Sequence, residues 1–355
     1  MPSIPDKQKL ESLRLFFILG RPRSGTTLLR TLFEAHPNIV TAPECSFIIN
    51  MEPKYGRIKT WTKEILGEFY EDLQMNPKIR NWDLDREKTL ESLMCCEGEN
   101  TFQNICKVIY LNYVSVFGNE EIVWIADKNP VYATYAKKLM KIFPDSVFLH
   151  ITRDPRDNML SIKTFEFEAP IPALLAFRWK NSSTKLYSLR KKYPEKFFLI
   201  RYEDLASEPA KYFPLLCDFL KVPFHKEVFE FYKKTDERII GKVEVGAMKF
   251  HKGLLSPINT GKLGVWKTQL PDRDVRIAET VIGKWMERYG YERKYKKFDL
   301  GIWVKSIPWM IYARLLYLVR DFFDVMPFSL QIKIKSKGPV LAKFAGRHMK
   351  KANKA

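Results

Sequence analysis

Cysteine is scarce and unpatterned in this sequence. Five stand in 355 residues, an odd number, and none falls in a Cys-x-x-Cys or mixed Cys/His spacing. That argues against a disulfide framework and a zinc module, and fits free thiols in a reducing compartment, so a cytoplasmic location is expected. Long apolar runs are missing as well. No stretch of about 18 residues is both apolar and free of charge, so no ordinary transmembrane helix is expected. Met1 to Arg14 is polar and lacks the apolar core of a signal peptide. There are no internal repeats and no low-complexity runs. RNP-like, zinc-finger and helix-turn-helix patterns are absent, so no nucleic-acid partner is expected. Acid is the scarcer charge, with 41 Asp and Glu against 60 Lys and Arg, a formal net charge of +19. The imbalance is steepest from Ile332 to Ala355, where eight Lys or Arg stand with no acid.

What is present reads as a folded α/β protein. Apolar residues make up 46% of the chain, enough for a substantial core. The positive charge suits an anionic partner, such as nucleic acid, an acidic membrane or a polyphosphorylated small molecule, or else a solvated basic surface with no partner. Leu15 to Leu19 is a continuous apolar run of the kind that forms a buried parallel strand. A Gly-rich turn and a helix from Thr26 to about Ala35 follow, stopped by His36-Pro37. Residues 50–120 read as an inserted helical layer. Further strands are expected at Ile122–Ala126, Val147–Ile151 and Phe197–Ile200, each leading into a polar cluster and then a helix. Strands alternating with helices imply a mostly parallel central sheet flanked by helices, with ligands beyond the strands' carboxyl ends. Residues 1–297 are expected to form the main domain, and 298–355 an amphipathic helical and basic extension.

The first turn carries chemistry. Gly20-x4-Gly25-Thr26-Thr27 has the spacing of a Walker A loop, which wraps backbone N–H groups around phosphate at a helix N-terminus. The Walker lysine is absent, with Thr26 in its place, which argues against an ATP or GTP hydrolase. Arg23 stands inside the loop, where it can supply charge beside a transferred group.

Pro22-Arg23-Ser24-Gly25-Thr26-Thr27 resembles the 5′-phosphosulfate loop of PAPS-dependent sulfotransferases, enzymes with a P-loop NTPase-like fold. The continuation through Leu28-Leu29-Arg30 and Ala35-His36-Pro37-Asn38 to Pro43-Glu44 is most similar to the tyrosylprotein sulfotransferase branch. Three more segments follow in the family's order. Arg153-Asp154-Pro155-Arg156-Asp157-Asn158-Met159-Leu160-Ser161 resembles its 3′-phosphate motif, an Arg and a Ser eight residues apart. Arg201-Tyr202-Glu203-Asp204-Leu205 resembles a strand-end element whose Tyr lies near the adenine. Gly261-Lys262-Leu263-Gly264-Val265-Trp266-Lys267 resembles the late G-x-x-G-x-W-K loop, although Asn259-Thr260 replace an Arg-Lys pair and Gly264 stands near the branch's Ser. Lys262 or Lys267, and Ser256, are the candidates to replace those contacts.

The resemblance implies PAPS as donor, PAP as product and no metal. It implies a nucleotide site formed by Arg23, Ser24, Gly25, Thr26, Thr27, Arg153, Ser161, Tyr202, Gly261, Lys262 and Trp266. Asp127-Lys128-Asn129-Pro130 resembles the family's strand-end Lys-x-Pro, but Pro130 stands where the cytosolic branch has its catalytic His. The tyrosylprotein branch has its base 21 residues beyond the loop arginine, which here is Glu44. Glu44 is therefore expected to act as base, with Arg23 and Lys128 stabilising the transferred group and the leaving oxygen. The acceptor is expected to be a hydroxyl of a small molecule or peptide: a lipid- or sterol-like alcohol, a phenol or a sugar. The alternatives are a kinase-like P-loop enzyme and a non-catalytic PAP- or membrane-binding protein. Oligomeric state has no signature in the sequence.

Ile302 to Phe328 mixes Trp303, Trp309, Tyr312, Leu315, Leu316, Tyr317, Phe322 and Phe323 with Lys305, Arg314 and Arg320. It reads two ways. One is an interfacial helix that, with the basic tail, makes a peripheral contact with the inner membrane surface. The other is an amphipathic helix packed on the domain.

Overall fold

Five parallel strands form the frame, and the three interior ones are buried on both faces. In the computed structural model the described residues are 7–76, 78–164, 168–234 and 254–324, together with 326, 328, 330, 331, 333 and 334. The basic tail beyond 334 lies outside the described residues.

The chain begins α1 (Lys7–Ser12), β1 (Arg14–Leu19), α2 (Thr26–Glu34) and β2 (Ile39–Thr41). A helical layer follows: α3 (Phe47–Tyr55), α4 (Lys63–Gln74), α5 (Arg86–Met94) and α6 (Phe102–Leu111), with a two-stranded ribbon of β3 (Thr60–Trp61) and β4 (Gly98–Glu99). Then come β5 (Trp124–Lys128), α7 (Ala136–Ile142), β6 (Val147–Thr152), α8 (Pro155–Lys163), α9 (Pro172–Lys192), β7 (Phe197–Arg201), α10 (Tyr202–Ser207) and α11 (Pro209–Leu220). The last helices are α12 (Trp266–Gln269), α13 (Asp272–Ile282) and α14 (Leu300–Phe323).

The sheet order is β2-β5-β1-β6-β7, parallel throughout. β1 lies in the middle, and successive side chains on it enter opposite cores. Leu15, Phe17 and Leu19 join the core formed with the helical layer. Phe16 and Ile18 join the one formed with α2 and α11. The period of two along a strand produces this division. The chain leaves β1 for β2 on one side and returns through β5 to β6 on the other, so the order switches at β1. A crevice at the carboxyl ends there is the usual ligand site of such sheets.

Three expectations need correction. Asp127 and Lys128 are the last residues of β5, not a loop after it, because both pair in register with β1. β2 has no counterpart in the sequence reading; it is three residues long and follows His36-Pro37, too short for a periodic signal. And among the described residues α14 is long and apolar enough to cross a membrane, by length and composition only. Its charges are few and spaced, Lys305 and Arg314 among them, so the helix is apolar on average without any long charge-free run. α14 packs on α9 and α13.

Candidate active site

All five carboxyl ends of the sheet deliver a predicted site residue or lead directly to one. β1 runs into the loop 20–25. Here Arg23 and Gly25 take left-handed backbone angles, φ 69° and 90°, so the loop curls back before α2 begins. Gly25 is required: a Cβ there would stand 2.3 Å from the Tyr202 ring. β5 ends at Lys128, β6 leads to Arg153, and β7 runs into Tyr202 at the start of α10. β2 leads to Glu44 three residues on.

The structure brings the first two phosphate-type motifs together. Arg23 Nε donates to Ser161 Oγ at 3.2 Å. Arg153 Nη1 donates to the Arg23 carbonyl at 3.1 Å, and its Nη2 to the Lys262 carbonyl at 2.6 Å, so one guanidinium ties the first loop to the late loop. It also lies 4.9 Å from the centre of the Tyr202 ring. Asn158 Nδ2 donates to the Pro22 carbonyl at 2.7 Å and to Ser24 Oγ at 3.2 Å.

A cleft opens here, walled by Arg23, Gly25, Thr26, Thr27, Arg153, Tyr202, Asn259 and Lys262 with Leu28, Leu254 and Ile258. Its walls hold three cations and no carboxylate. Burial and the neighbouring Arg153 lower the Arg23 pKa to about 10. Burial, then Arg23 and Arg153, lower that of Lys262. Buried like charges disfavour one another's charged forms, and an anion relieves them. Arg153 Nε is buried and makes no hydrogen bond, a donor left for a ligand. These features fit a phosphate-bearing nucleotide.

Of the predicted nucleotide-site residues, Ser24, Ser161, Gly261 and Trp266 do not wall the cleft: Ser24 is buried and Ser161 reaches it only through Arg23. Gly261 is exposed and its N–H donates to Asn259 Oδ1. Trp266 packs beneath Arg156, 3.6 Å from guanidinium carbon to ring centre. Asp157 explains the placement of this loop. Its carboxylate accepts the N–H of Gly264 at 2.7 Å and of Trp266 at 2.8 Å. Arg156 in turn is held by Asp154 and Glu279, each at 2.7 Å.

Beside the cleft stands an ion-paired cluster. Lys128 is buried and pairs with Glu44 Oε1; its Nζ also lies 3.3 Å from Thr27 Oγ1. Lys78 Nζ reaches Glu44 Oε2 at 3.0 Å. Burial would raise the Glu44 pKa, but Lys128 and Lys78 outweigh it and hold the carboxyl well below the usual range. Burial lowers the Lys128 pKa against the pull of Glu44. Lys78 had no motif to mark it: it belongs to the helical layer and reaches Glu44 only through packing. His36 and His150 are buried, and neither walls the cleft. His36 Nε2 lies 2.8 Å from the Pro223 carbonyl, and burial lowers the His150 pKa to about 3.

A second cavity, of about 430 Å³, adjoins the same chain positions. Pro22, Ser46 and Pro130 wall it, one or two residues along the chain from Arg23, Glu44 and Lys128. Its other walls include Val131 to Tyr135 and, from α14, Leu316, Tyr317, Arg320 and Phe323. Arg21 on its rim donates from Nη2 to both oxygens of buried Glu168 at 2.8 Å, and Arg178 pairs with the same carboxylate. A larger hollow of about 1000 Å³, between α1, α6 and the segment 112–123, holds none of the predicted site residues.

Comparison with known proteins agrees with this geometry. A model of the sulfotransferase family matches residues 16–226, from β1 to the turn after α11. The chain is 25% identical over 292 residues to protein-tyrosine sulfotransferase 1 of Danio rerio, covering 79% of this chain and 73% of that protein. It is 25% identical over 320 residues to the protein-tyrosine sulfotransferase of Drosophila melanogaster, covering 85% of this chain and 58% of that longer protein. Among solved structures, the sulfotransferase domain from the curacin biosynthetic pathway superposes with a TM-score of 0.56 at 22% identity, over 79% of this chain and 98% of that one, a likeness of fold.

Proposed function

Because this chain belongs to the sulfotransferase family, we propose that it moves a sulfuryl group from PAPS to an acceptor hydroxyl, with Glu44 as general base. The observation that carries this reading is the cleft of three cations and no carboxylate beside the Glu44–Lys128 pair.

PAPS, when bound, supplies a sulfuryl group that an attacking hydroxyl oxygen displaces from the 5′-phosphate. Arg153, Lys262 and the backbone of residues 24–27 hold the phosphates. Arg23 and Lys128 stabilise charge on the transferred group and on the oxygen that leaves, the role that metal ions fill in phosphoryl transfer. Glu44 takes the acceptor proton. In the resting arrangement its two lysines make it a weak base. Lys128 has three donors and shares them between Glu44 and Thr27. As Lys128 turns toward the leaving oxygen, the carboxylate loses its closest cation and gains basicity when it is needed.

The acceptor enters from the 430 Å³ cavity. That cavity's apolar and aromatic walls suit an alcohol with an apolar body, the lipid- or sterol-like class, or a phenol such as the tyrosine that names the relatives. The test is calorimetric titration with PAP, followed by labelled PAPS against a panel of sterol, phenol, tyrosyl-peptide and sugar acceptors. Glu44→Gln is expected to keep PAP affinity and lose roughly 10²–10⁴-fold in turnover. Failure of the wild-type chain to bind PAP overturns the donor; wild-type turnover by Glu44→Gln overturns the base.

A further inference from the structure

A surface helix normally turns its polar face outward and its apolar face to the core. α14 does the reverse. The stripe that meets α9 and α13 includes Ser306 and Ala313, both buried, and ends in polar anchors. Arg320 Nη1 donates to Thr134 Oγ1 at 2.6 Å, and the Tyr135 hydroxyl donates to Asp324 Oδ2 at 2.6 Å. The outward stripe is Val304, Ile311, Leu315, Leu318 and Phe322, each more than half exposed, at the spacings that align residues along one helix face. Trp303 and Trp309 of the same helix are 37% and 36% exposed. Only 11% of the helix's most apolar window is buried. Scattered exposed apolar residues are ordinary, but a continuous stripe along a 24-residue helix marks a surface built for contact.

Charge selects the occupant. Beyond the helix the sequence carries eight Lys or Arg and no acid between Ile332 and Ala355, on a chain of net charge +19. A second copy of this chain brings the same charge against itself, whereas an anionic lipid surface attracts the cations and buries the apolar stripe. Orientation follows from the inner stripe: α14 is fixed to α9 and α13, so it lies along a bilayer rather than through it.

We propose that α14 is a docking helix that seats this protein on an anionic membrane surface, with Val304 to Phe322 at the acyl boundary. The family match ends at residue 226, so the helix belongs to a part of the chain outside that match. On the transfer reading above, docking has a consequence for substrate. Leu316, Tyr317 and Phe323 of the same helix wall the acceptor cavity, so docking holds that cavity near the membrane, within reach of an amphiphilic alcohol. The docking itself does not depend on that reading.

The test is co-sedimentation of the full chain with vesicles of equimolar phosphatidylserine and phosphatidylcholine, and with phosphatidylcholine alone. The wild-type chain is expected to sediment with the anionic vesicles, and the Leu315→Glu/Leu318→Glu/Phe322→Glu variant to lose roughly ten-fold or more in partitioning at an unchanged thermal midpoint. Should that variant fold poorly, the wild-type chain still decides: brominated phosphatidylserine in the anionic vesicles should quench its tryptophan fluorescence through Trp303 and Trp309. Wild-type chain left in the supernatant with both vesicles, equal sedimentation of a folded variant, or no quenching each overturns the proposal. A wild-type dimer that the variant dissociates, without vesicle binding, overturns it in favour of a second copy on this face. Loss of PAP binding or turnover would bear on the proposed function and leave the docking result standing.

Discussion

Gly25 and Thr26 show how much a single residue decides at this site. Thr26 in place of the Walker lysine is legible in the sequence and argues against NTP hydrolysis. The need for glycine next to it was not fully legible, because half of the reason lies in Tyr202, more than 170 residues away. At φ 90° any other residue pays strain, and a Cβ meets the ring. Gly25→Ala is expected to cost roughly 1–2 kcal/mol from the backbone alone and to displace Tyr202 from Arg153. Its measurable outcome is weaker PAP binding by calorimetry together with a lower thermal midpoint; unchanged affinity would show that the ring does not shape the cleft. Lys78 is the opposite case. No motif marks it, yet it shares Glu44 with Lys128, and only packing of the helical layer puts it there.

At the level of elements, α8 does more than its motif implied. The motif selected Arg153 before the helix and Ser161 within it. The structure adds Asp157 and Asn158 between them: Asn158 fixes the first loop, and Asp157 fixes the late loop through two backbone N–H groups. One helix thus sets the distance between both walls of the cleft. Trp266 belongs to this scaffold rather than to the ligand surface. Asp157→Ala leaves the buried N–H of Trp266 and the part-buried N–H of Gly264 without their acceptor, and a buried loss of this kind typically costs about 1–3 kcal/mol. It is expected to weaken PAP binding roughly ten-fold or more while α8 itself stays formed, read by calorimetry and far-UV circular dichroism. Unchanged affinity would mean that the late loop holds its place without the carboxylate. β2 carries the parallel lesson for strands. Its three residues are too few for a periodic signal, and its membership in the sheet comes from pairing with β5.

For the whole molecule, burying β5 between β2 and β1 has a cost that pH exposes. Asp127 is 2% exposed, and burial raises its pKa to about 7 from an ordinary 3.8, against the opposing pull of the Tyr110 and Tyr132 hydroxyls. The folded state therefore keeps a proton that the unfolded chain has lost between pH 3.8 and about 7. Its contribution is fully present below the lower value and is lost as pH rises through the upper one. Asp127→Asn is expected to flatten that decline and to raise the thermal midpoint above pH 7 relative to wild type; identical pH profiles would contradict it. The sequence alone determined the alternation of strands and helices, the phosphate-type loops and their order, because these depend on local periodicity and on turn chemistry at fixed spacing. Glu44 stands 21 positions beyond Arg23, and only the resemblance to the tyrosylprotein branch marks that position as a base. Tertiary structure decided what those residues meet: Lys128 and Lys78 on Glu44, Arg153 across two loops, and α14 with its apolar stripe outward. Such contacts join segments up to more than a hundred residues apart, and no local pattern encodes them; they follow from the strand order that brings five carboxyl ends to one edge of the sheet.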